Sequence, residues 1–327
     1  MIASEVPLLI VGGGVAGCSL AFALARRGIG AELVESGRIG DQGASAVAAA
    51  LLNPYRGRSA KPGRYDLAGL AAFWQMCDVL EDAGFDHGAR RSGVLRVASS
   101  DRQANAWRKI AGLDEFLDLP APYRAPNGAF LVGAGGWVEP ARLLAALKTW
   151  TSRRRSSFVE GCTVERLEAV DGQWLAHTEG GGVIRARNVA LCLGAGSVAG
   201  APLPPLQLIV GDQITLRSDA RLPYPLAGSI YLASDGGRVF IGGNHREPGT
   251  DDPQAPELLR ASAARMAPPL AGATIERVWT GVRAKQPGNQ PILRELEPGL
   301  WYLGAFGGRG FLTAPLLAGR LAAQLNS

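Results

Sequence analysis

Three glycines near the N-terminus, Gly12, Gly14 and Gly17, have the spacing GxGxxG, which is typical of a loop that binds a diphosphate. Gly12 allows a tight turn, Gly14 lets a diphosphate approach the backbone, and Gly17 lets a helix lie close to a sheet. Glu35 follows 18 residues after Gly17, where a carboxylate accepts hydrogen bonds from ribose hydroxyls and disfavours a 2′-phosphate. The spacing therefore predicts that the chain binds a dinucleotide.

The elements that must position these residues are a strand, a helix and a second strand. The apolar run LLIV, residues 8–11, predicts a buried parallel strand, and the helix after it runs to about Arg27. Val15 and Ala16 open this helix, so its free N–H groups face the diphosphate. The second strand ends at Glu35. The motif alone does not separate NAD from FAD.

Composition narrows the class of protein. The 327 residues are 47% hydrophobic and carry a net charge of +5, which indicates a globular chain of one large or two ordinary domains. The positive charges are dispersed except for 153–155, which we interpret as a solvated run. Four cysteines without a CxxC pair and three histidines indicate reduced thiols and no metal site. The N-terminus lacks the features of a signal peptide or a spanning helix, so we expect a cytoplasmic protein with no membrane partner.

The order of segments predicts an α/β fold in which two domains are interleaved. Segments typical of nucleotide binding occur at the start, middle and end, and strand-rich segments lie between them. We expect a Rossmann-like βαβ domain at 1–80, 137–203 and 275–327, and a strand-rich substrate domain at 81–136 and 204–274. Helices are predicted over 65–84, from near Pro140, and at the C-terminus with Thr313 as N-cap and Pro315 in the first turn.

Several segments together resemble the D-amino-acid oxidase family of FAD-dependent amine oxidoreductases, which includes glycine oxidase and sarcosine oxidase. The resemblance covers nearly the whole chain. The tail is also similar to the FAD-containing half of a bacterial bifunctional enzyme that modifies the wobble uridine of tRNA. The segments that carry it are VGGGVAGCSLAFALARRG with Glu35, GASAVAAALLNP, VALCLGAGS, SIYLASDGGRVFIGG, GVRAKQPGNQPIL and LWYLGAFGGRGFLTAPLLAGRLA.

This resemblance implies an FAD that is bound noncovalently, because the cysteine that attaches flavin in sarcosine oxidase is replaced by the stretch AKQPGN. It implies that Glu35 holds the adenosine ribose, that Ala44 and Ser45 lie along the diphosphate, and that the backbone of Val164 meets the adenine. It also implies that one loop passes near the diphosphate and a second caps the flavin. The residues of these two loops are Gly194, Ala195 and Gly196, and Gly307, Gly308, Arg309, Gly310 and Phe311.

The resemblance also implies a substrate site. Arg283 and Tyr231 match the arginine and tyrosine that bind the substrate carboxylate, and a guanidinium fork suits a bidentate carboxylate. His245 matches a histidine near the substrate of sarcosine oxidase, although it also fits an ordinary turn residue. The expected reaction is oxidation of the C–N bond of a small amino acid or N-substituted glycine by hydride transfer to flavin N5. The imine would then hydrolyse.

Other interpretations remain open from the sequence. The lysine that assists reaction with oxygen in sarcosine oxidase has no counterpart, so the acceptor is oxygen or another oxidant. A glycine-like group on a modified tRNA base would also present a carboxylate to Arg283, but a net charge of +5 does not support RNA binding. A third alternative is a non-catalytic protein that keeps the FAD fold.

Overall fold

Helices and strands alternate along the chain in the computed structural model, which describes residues 2–110, 115–117 and 122–325. The helices in these ranges are α1 Val15–Ala25, α2 Asp66–Asp82, α3 Asp101–Trp107, α4 Pro140–Ser152, α5 Ala255–Met266 and α6 Gly310–Gln324. The strands are β1 Ile2–Val11, β2 Glu32–Glu35, β3 Ala50–Leu52, β4 Tyr55–Arg56, β5 Lys61–Pro62, β6 Ala89–Arg90, β7 Val94–Val97, β8 Glu115–Leu117, β9 Ala129–Val132, β10 Gly136–Val138, β11 Ser157–Glu160, β12 Val164–Val170, β13 Gln173–Thr178, β14 Val183–Leu191, β15 Gln207–Arg217, β16 Leu226–Ala227, β17 Tyr231–Asp235, β18 Arg238–Gly242, β19 Thr274–Lys285, β20 Ile292–Glu297 and β21 Leu300–Gly304.

The first sheet has the order β11-β2-β1-β14-β13-β12, with β21 also paired to β14 and β20 paired to β21. Strands β11, β2, β1, β14 and β21 are parallel to their neighbours in this series. Val11 lies opposite Val34 and Leu191, and Leu191 lies opposite Tyr302. The carboxyl ends of these strands therefore meet at one edge, where open α/β sheets bind ligands.

Helices cover one face of this sheet. All residues of α1 are buried, and α1 packs against α6 and α4 while α6 packs against α2. The first core cluster joins this layer through Leu20, Phe73, Leu144 and Leu317. The opposite face carries a second cluster around β12–β14, in which Leu9, Val189 and Tyr302 are buried.

The second sheet has the order β19-β15-β18-β17-β16-β7-β9-β8. On one of its faces Ile214, Leu232 and Ile241 belong to the same apolar cluster as Leu259 of α5. Since side chains alternate along a strand, Gln213 and Tyr231 belong to the other face. A small antiparallel sheet, β3-β10-β6, and the hairpin of β4 and β5 lie in the chain between α1 and α4.

The predicted α/β class and most predicted helices are confirmed. The prediction at 65–84 corresponds to α2, and α4 begins at Pro140 as expected. The N-cap prediction at Thr313 is wrong: α6 begins at Gly310, and the Thr313 hydroxyl donates to the Arg309 carbonyl oxygen at 3.0 Å. Pro315 consequently lies inside the helix rather than in its first turn.

The chain passes repeatedly between the two large sheets, and its predicted division into domains stays a prediction. Within the described ranges, no helix has the length and apolarity that crossing a membrane requires.

Candidate active site

A cavity of about 1020 Å³ opens between the carboxyl edge of the first sheet and one face of the second. Most of the residues that the sequence singles out line it. They are Gly12, Gly14, Val15, Ala16, Glu35, Ala44, Ser45, Val164, Gly194, Ala195, Gly196, Tyr231, His245, Arg283, Gly307, Gly308, Gly310 and Phe311. Two others, Gly17 and Arg309, do not line it, and each has a different structural position described below.

The N-terminal glycine loop leaves no space for side chains. Gly12 has φ +109°, and a Cβ there would overlap the carbonyl oxygen of Cys192 at the end of β14. A Cβ on Gly17 would overlap the carbonyl oxygen of Gly12, so this glycine lets α1 lie close to β1. A Cβ on Gly14 would stand 3.1 Å from Ser45 Oγ and inside the cavity lining. The loop is therefore a backbone cradle of the kind a diphosphate requires.

Two polar side chains complete the nucleotide end of the cavity. Glu35 Oε2 accepts a hydrogen bond from the Gly13 N–H at 2.5 Å, and Oε1 accepts one from Ser36 Oγ at 2.9 Å. These bonds fix the carboxylate at the end of β2, beside the glycine loop. The Val15 N–H of α1 donates to Ser45 Oγ at 3.0 Å. This end of the cavity fits the diphosphate and ribose of a dinucleotide. It combines backbone N–H groups with the Glu35 carboxylate, and the residues around the loop are small.

The N-terminus of α6 forms a second backbone site. After β21 the chain turns through Ala305 and Gly307, both with positive φ, and a single 3₁₀ turn at Gly307–Arg309 leads into the helix. The N-cap residue Arg309 makes no side-chain capping hydrogen bond, and Gly307, Gly308 and Gly310 line the cavity. A helix N-terminus presents N–H groups and a partial positive charge, which suits the negative charge that a reduced flavin gathers around N1 and C2=O.

The side chain of Arg309 has another role in the structure. It is buried and its Nη1 lies 3.4 Å from Oδ1 of the buried Asp66, at the start of α2. Any contact of Arg309 with a cofactor is therefore left to its backbone. The expected contact stays a prediction.

Arg283 and Tyr231 project from the second sheet into the same cavity. Arg283 Nη2 donates to the Asn244 carbonyl oxygen at 3.1 Å, and the guanidinium lies against Gly211, where a Cβ would overlap Nη2. A Cβ on Gly308 would be 3.8 Å from Arg283 Nη1. The guanidinium therefore lies beside the N-terminal turn of α6, next to the backbone site described above.

Tyr231 lies flat over its cross-strand neighbour Gly242, where a Cβ would be 2.6 Å from the phenol oxygen. Its hydroxyl accepts a hydrogen bond from Gln213 Nε2 at 3.1 Å, and Gln213 is in turn fixed by the backbone of Ala48 and Ala49. The phenol proton is thus available for donation to a ligand.

Burial sets the electrostatics of this pair. Burial raises the pKa of Tyr231 above its usual value, although the positive charge of Arg283 opposes this. Burial lowers the pKa of Arg283, opposed by Tyr231 and Asp212. Both shifts reflect the poor solvation of charge here. A carboxylate bound between a guanidinium and a neutral phenol would therefore interact more strongly than in water.

His245 lies at the exposed rim of the cavity. Burial of part of its ring and the nearby charge of Arg283 lower its pKa below 6.5. The imidazole is therefore neutral at pH 7.

Sequence reasoning missed the group that holds Arg283 in place. Asp212 is 5% exposed and accepts hydrogen bonds from Arg246 Nη2 at 2.6 Å, Thr280 Oγ1 at 2.7 Å and Asn244 Nδ2 at 2.5 Å. Its own N–H donates to Asn244 Oδ1 at 2.7 Å. Since the Asn244 carbonyl accepts from Arg283, the Asp212 network fixes the loop that orients the guanidinium. Gly211 in VGDQ makes room for Arg283, but no local spacing in the sequence marks Asp212 itself.

The family model DAO, described as FAD dependent oxidoreductase, matches residues 8–325 of the chain. The chain belongs to this family. It is accordingly an FAD-dependent oxidoreductase, and the dinucleotide that the motif left open is FAD. The family resemblance predicted from the sequence is confirmed.

Two curated relatives cover most of the chain. The tRNA 5-methylaminomethyl-2-thiouridine biosynthesis bifunctional protein MnmC of Maricaulis maris (strain MCS10) is 31% identical over 322 residues, or 98% of this chain and 52% of the relative. An opine oxidase polypeptide of Agrobacterium tumefaciens (strain Ach5) is 27% identical over 334 residues, or 92% of this chain and 87% of the relative. The chain spans about half the length of the MnmC relatives that it matches.

Solved structures share the fold across nearly the whole chain. Glycine oxidase from Geobacillus kaustophilus has a TM-score of 0.86 at 23% identity, covering 98% of this chain and 95% of that one. Iminodiacetate oxidase from Chelativorans sp. BNC1 has a TM-score of 0.82 at 21% identity, with 98% and 95% coverage. These similarities establish the fold.

Proposed function

We propose that this DAO-family oxidoreductase oxidises the C–N bond of a carboxylate-bearing amine, either a small amino acid or an N-substituted glycine. The product is an imine that water hydrolyses. The observation that carries the proposal is the position of Arg283 and Tyr231. Both face the cavity that the glycine loop and the turn into α6 also line, and Arg283 lies beside the N-terminal turn of α6.

The chain's own residues bind and orient the substrate. Arg283 holds the carboxylate through its guanidinium, and Tyr231 donates one directional hydrogen bond from its hydroxyl. The second sheet covers this region and keeps water away from the carboxylate, which strengthens both contacts. FAD, when bound, supplies the two-electron acceptor for the hydrogen of the carbon next to nitrogen. Fixing the carboxylate limits the positions that this carbon can take.

No strong general base is required in this arrangement. A neutral amine can lose its α-hydrogen with the bonding electrons, and the lone pair of nitrogen forms the imine. His245 is exposed at the edge of the cavity, so we assign it to substrate entry rather than to proton abstraction. The FAD is held by noncovalent contacts, since AKQPGN offers no cysteine for attachment.

A second candidate substrate is a glycine-like group on a modified tRNA base. The identity of 31% with a tRNA-modifying relative favours it. Such a group would present the same carboxylate to Arg283. The dispersed positive charge of this chain does not add a clustered basic face for RNA.

Anaerobic mixing of the FAD-loaded protein with candidate substrates tests the proposal. The panel contains glycine, sarcosine, D-alanine, D-proline and tRNA that carries carboxymethylaminomethyluridine. We expect at least one carboxylate-bearing amine to bleach the visible flavin spectrum and to yield a carbonyl product. Bleaching by the tRNA alone would select the second candidate. The proposal would be contradicted if simple amines that lack a carboxylate bleached the flavin while no member of the panel did.

A further inference from the structure

Two further arginines, Arg56 and Arg96, line the same cavity as Arg283. In the register of the second sheet, Arg96 of β7 lies opposite Ala227 of β16, and Ala227 lies opposite Tyr231 of β17. Residues directly opposite one another share a face, so Arg96 and Tyr231 face the cavity from the same side. Two strand spacings separate their Cα atoms by about 10 Å. The small side chain of Ala227 leaves the space between them open.

Positive charge exceeds negative charge around these arginines. Arg56 Nη2 lies 3.4 Å from Asp66 Oδ2, and Arg309 Nη1 lies 3.4 Å from Asp66 Oδ1. Arg96 has no ion pair with any residue in the described part of the chain. Arg56 and Arg309 therefore share one buried carboxylate, and Arg96 has none. The three arginines and Asp66 together carry a net charge of +2 beside the cavity.

The guanidinium of Arg96 is fixed but incompletely bonded. The residue is 8% exposed, its Nη2 donates to the Gly57 carbonyl oxygen at 2.8 Å, and it stacks 4.7 Å above the centre of the Trp107 ring. Within the described ranges, the buried Nε atoms of Arg56 and Arg96 have no hydrogen-bond partner. A buried charge with unused donors is costly unless an anion completes it.

Both arginines stay charged at neutral pH. Burial lowers the pKa of Arg96 to about 10. Burial also lowers the pKa of Arg56 to about 10, where Asp66 opposes the shift while Arg309 and Arg96 add to it. The pair is therefore a cationic patch at neutral pH.

We propose that Arg56 and Arg96 bind a second anionic group of the substrate. The substrate class would then be an extended amine that carries a carboxylate for Arg283 at one end and a second carboxylate or a phosphate at the other. This inference rests on the proposed function, in which Arg283 binds the first carboxylate. The second anion contributes only to binding, and no covalent bond to it forms or breaks.

Ligand titrations of the FAD-loaded protein test the patch without turnover. The visible spectrum of the flavin is followed as α,ω-dicarboxylates from malonate to sebacate are added, each against the monocarboxylate of equal chain length. We expect one chain length at which the dicarboxylate binds at least about tenfold more tightly than its monocarboxylate. An ω-phosphonocarboxylate of that length then shows whether the patch prefers a phosphate-like group to a carboxylate.

Four variants locate the contact. Arg56→Gln and Arg96→Gln should each reduce the dicarboxylate preference at least about fivefold while FAD occupancy and monocarboxylate binding stay within about twofold. Arg58→Gln removes an exposed positive charge two residues from Arg56 and should leave the preference unchanged. Arg96 is stacked and buried, so Arg96→Lys, which keeps the charge, accompanies Arg96→Gln. If neither Arg96 variant folds, the Arg56→Gln result decides.

Each failure has a separate signature. Equal affinities of dicarboxylates and monocarboxylates at every length would overturn the patch. Loss of FAD from the Arg56 or Arg96 variants with an unchanged preference would assign the arginines to the cofactor and overturn it as well. If the preference is present but no carboxylate-bearing amine reduces the flavin, the patch stands and the proposed function fails. If amines reduce the flavin without any preference, only the patch fails.

Discussion

A backbone carbonyl group and a glycine set the orientation of the Arg283 guanidinium. Asn244 supplies a carbonyl acceptor at 3.1 Å, and Gly211 supplies a surface without a side chain on which the guanidinium rests. A guanidinium held at one edge still has donors for a planar carboxylate. If Arg283 binds a carboxylate as proposed, its orientation is set before any substrate arrives.

Replacement of Arg283 tests its role as carboxylate clamp. Arg283→Ala should leave FAD bound and weaken capture of carboxylate substrates by about 2–5 kcal/mol, the usual effect of removing one partner of a desolvated charge pair. Arg283→Lys should recover only part of this loss, because a point charge cannot reproduce a two-pronged contact. The dependence of anaerobic flavin reduction on substrate concentration measures the effect. An unchanged dependence would make Arg283 a structural residue.

His245 provides a pH test at the same scale. Because its pKa is lowered from 6.5, the imidazole is neutral above that pH and gains a proton only as the pH falls below it. If His245 serves substrate entry as proposed, His245→Gln should leave the pH profile of flavin reduction unchanged between pH 5 and pH 7, the interval in which a histidine with a lowered pKa would take up its proton. A variant that lost a rate-determining ionisation in this interval would show that His245 is a proton acceptor after all.

At the scale of elements, the strand ends do most of the positioning. The parallel register of β1, β2, β14 and β21 brings four loops to one edge of the first sheet. The glycine loop and Glu35 follow two of these strands, and the turn into α6 follows a third. The long strands β15 and β19 then place Arg283 opposite that edge.

Gly14→Val tests the glycine loop as a diphosphate cradle. A branched side chain at this position would stand in the cavity against Ser45, in the space that the proposal gives to the diphosphate of the cofactor. The variant should fold but purify without FAD, as circular dichroism and the visible spectrum would show. Gly319→Val, at a helix position whose Cβ meets nothing within 4 Å, is the matched control and should keep its flavin. Full FAD occupancy in Gly14→Val would refute the assignment of the loop.

Asp212→Asn tests the network between β15, β19 and the loop that carries Asn244. Burial alone would raise the pKa of Asp212, but hydrogen bonds from Arg246, Thr280 and Asn244 outweigh it and hold the pKa below 3.8. Loss of the charge should cost about 3 kcal/mol of stability, as for other buried pairs that lose one partner. It should also weaken carboxylate binding, since the Asn244 carbonyl is released.

The sign of the pH dependence follows from the lowered pKa of Asp212. Its contribution to stability is complete above the unfolded value of 3.8 and is lost as the pH falls through the folded value. The difference in unfolding free energy between wild type and Asp212→Asn should thus shrink below pH 3.8. Glu276→Gln, which removes one partner of the exposed Arg217 pair, is the control and should change stability by less than about 1 kcal/mol at any pH. A constant difference for Asp212→Asn would contradict the account.

Across the whole molecule, local sequence reveals the motif at the edge of the first sheet more readily than the side-chain contacts of the second sheet. Gly12, Gly14 and Glu35 have a fixed spacing because they lie within one βαβ unit, so local sequence reveals them. Asp212 of β15 acts on Arg283 of β19 through Asn244, which bonds to both. Nothing in local spacing marks such a contact. Arg96 is similar, since only the register of β7 with β16 and β17 brings it beside Tyr231.

The N-cap at Thr313 failed for a local reason. A threonine shortly before a proline is a common helix start, but the glycines at 307, 308 and 310 allow the chain to turn and begin α6 four residues earlier, with Arg309 rather than Thr313 as N-cap. The earlier start places backbone N–H groups in the cavity lining. Sequence propensity alone does not favour a helix that begins at Gly310.

In the proposed function, this oxidoreductase recognises its substrate by a carboxylate on the amine. The most direct measurement compares sarcosine with sarcosinamide, which differ only at that group, in anaerobic flavin reduction by the wild-type protein. If the panel shows another amine to be the better substrate, that amine and its amide replace this pair. We expect the acid to reduce the flavin with a second-order rate constant at least about 30-fold above that of the amide, the equivalent of about 2 kcal/mol. Equal rates for acid and amide would contradict it.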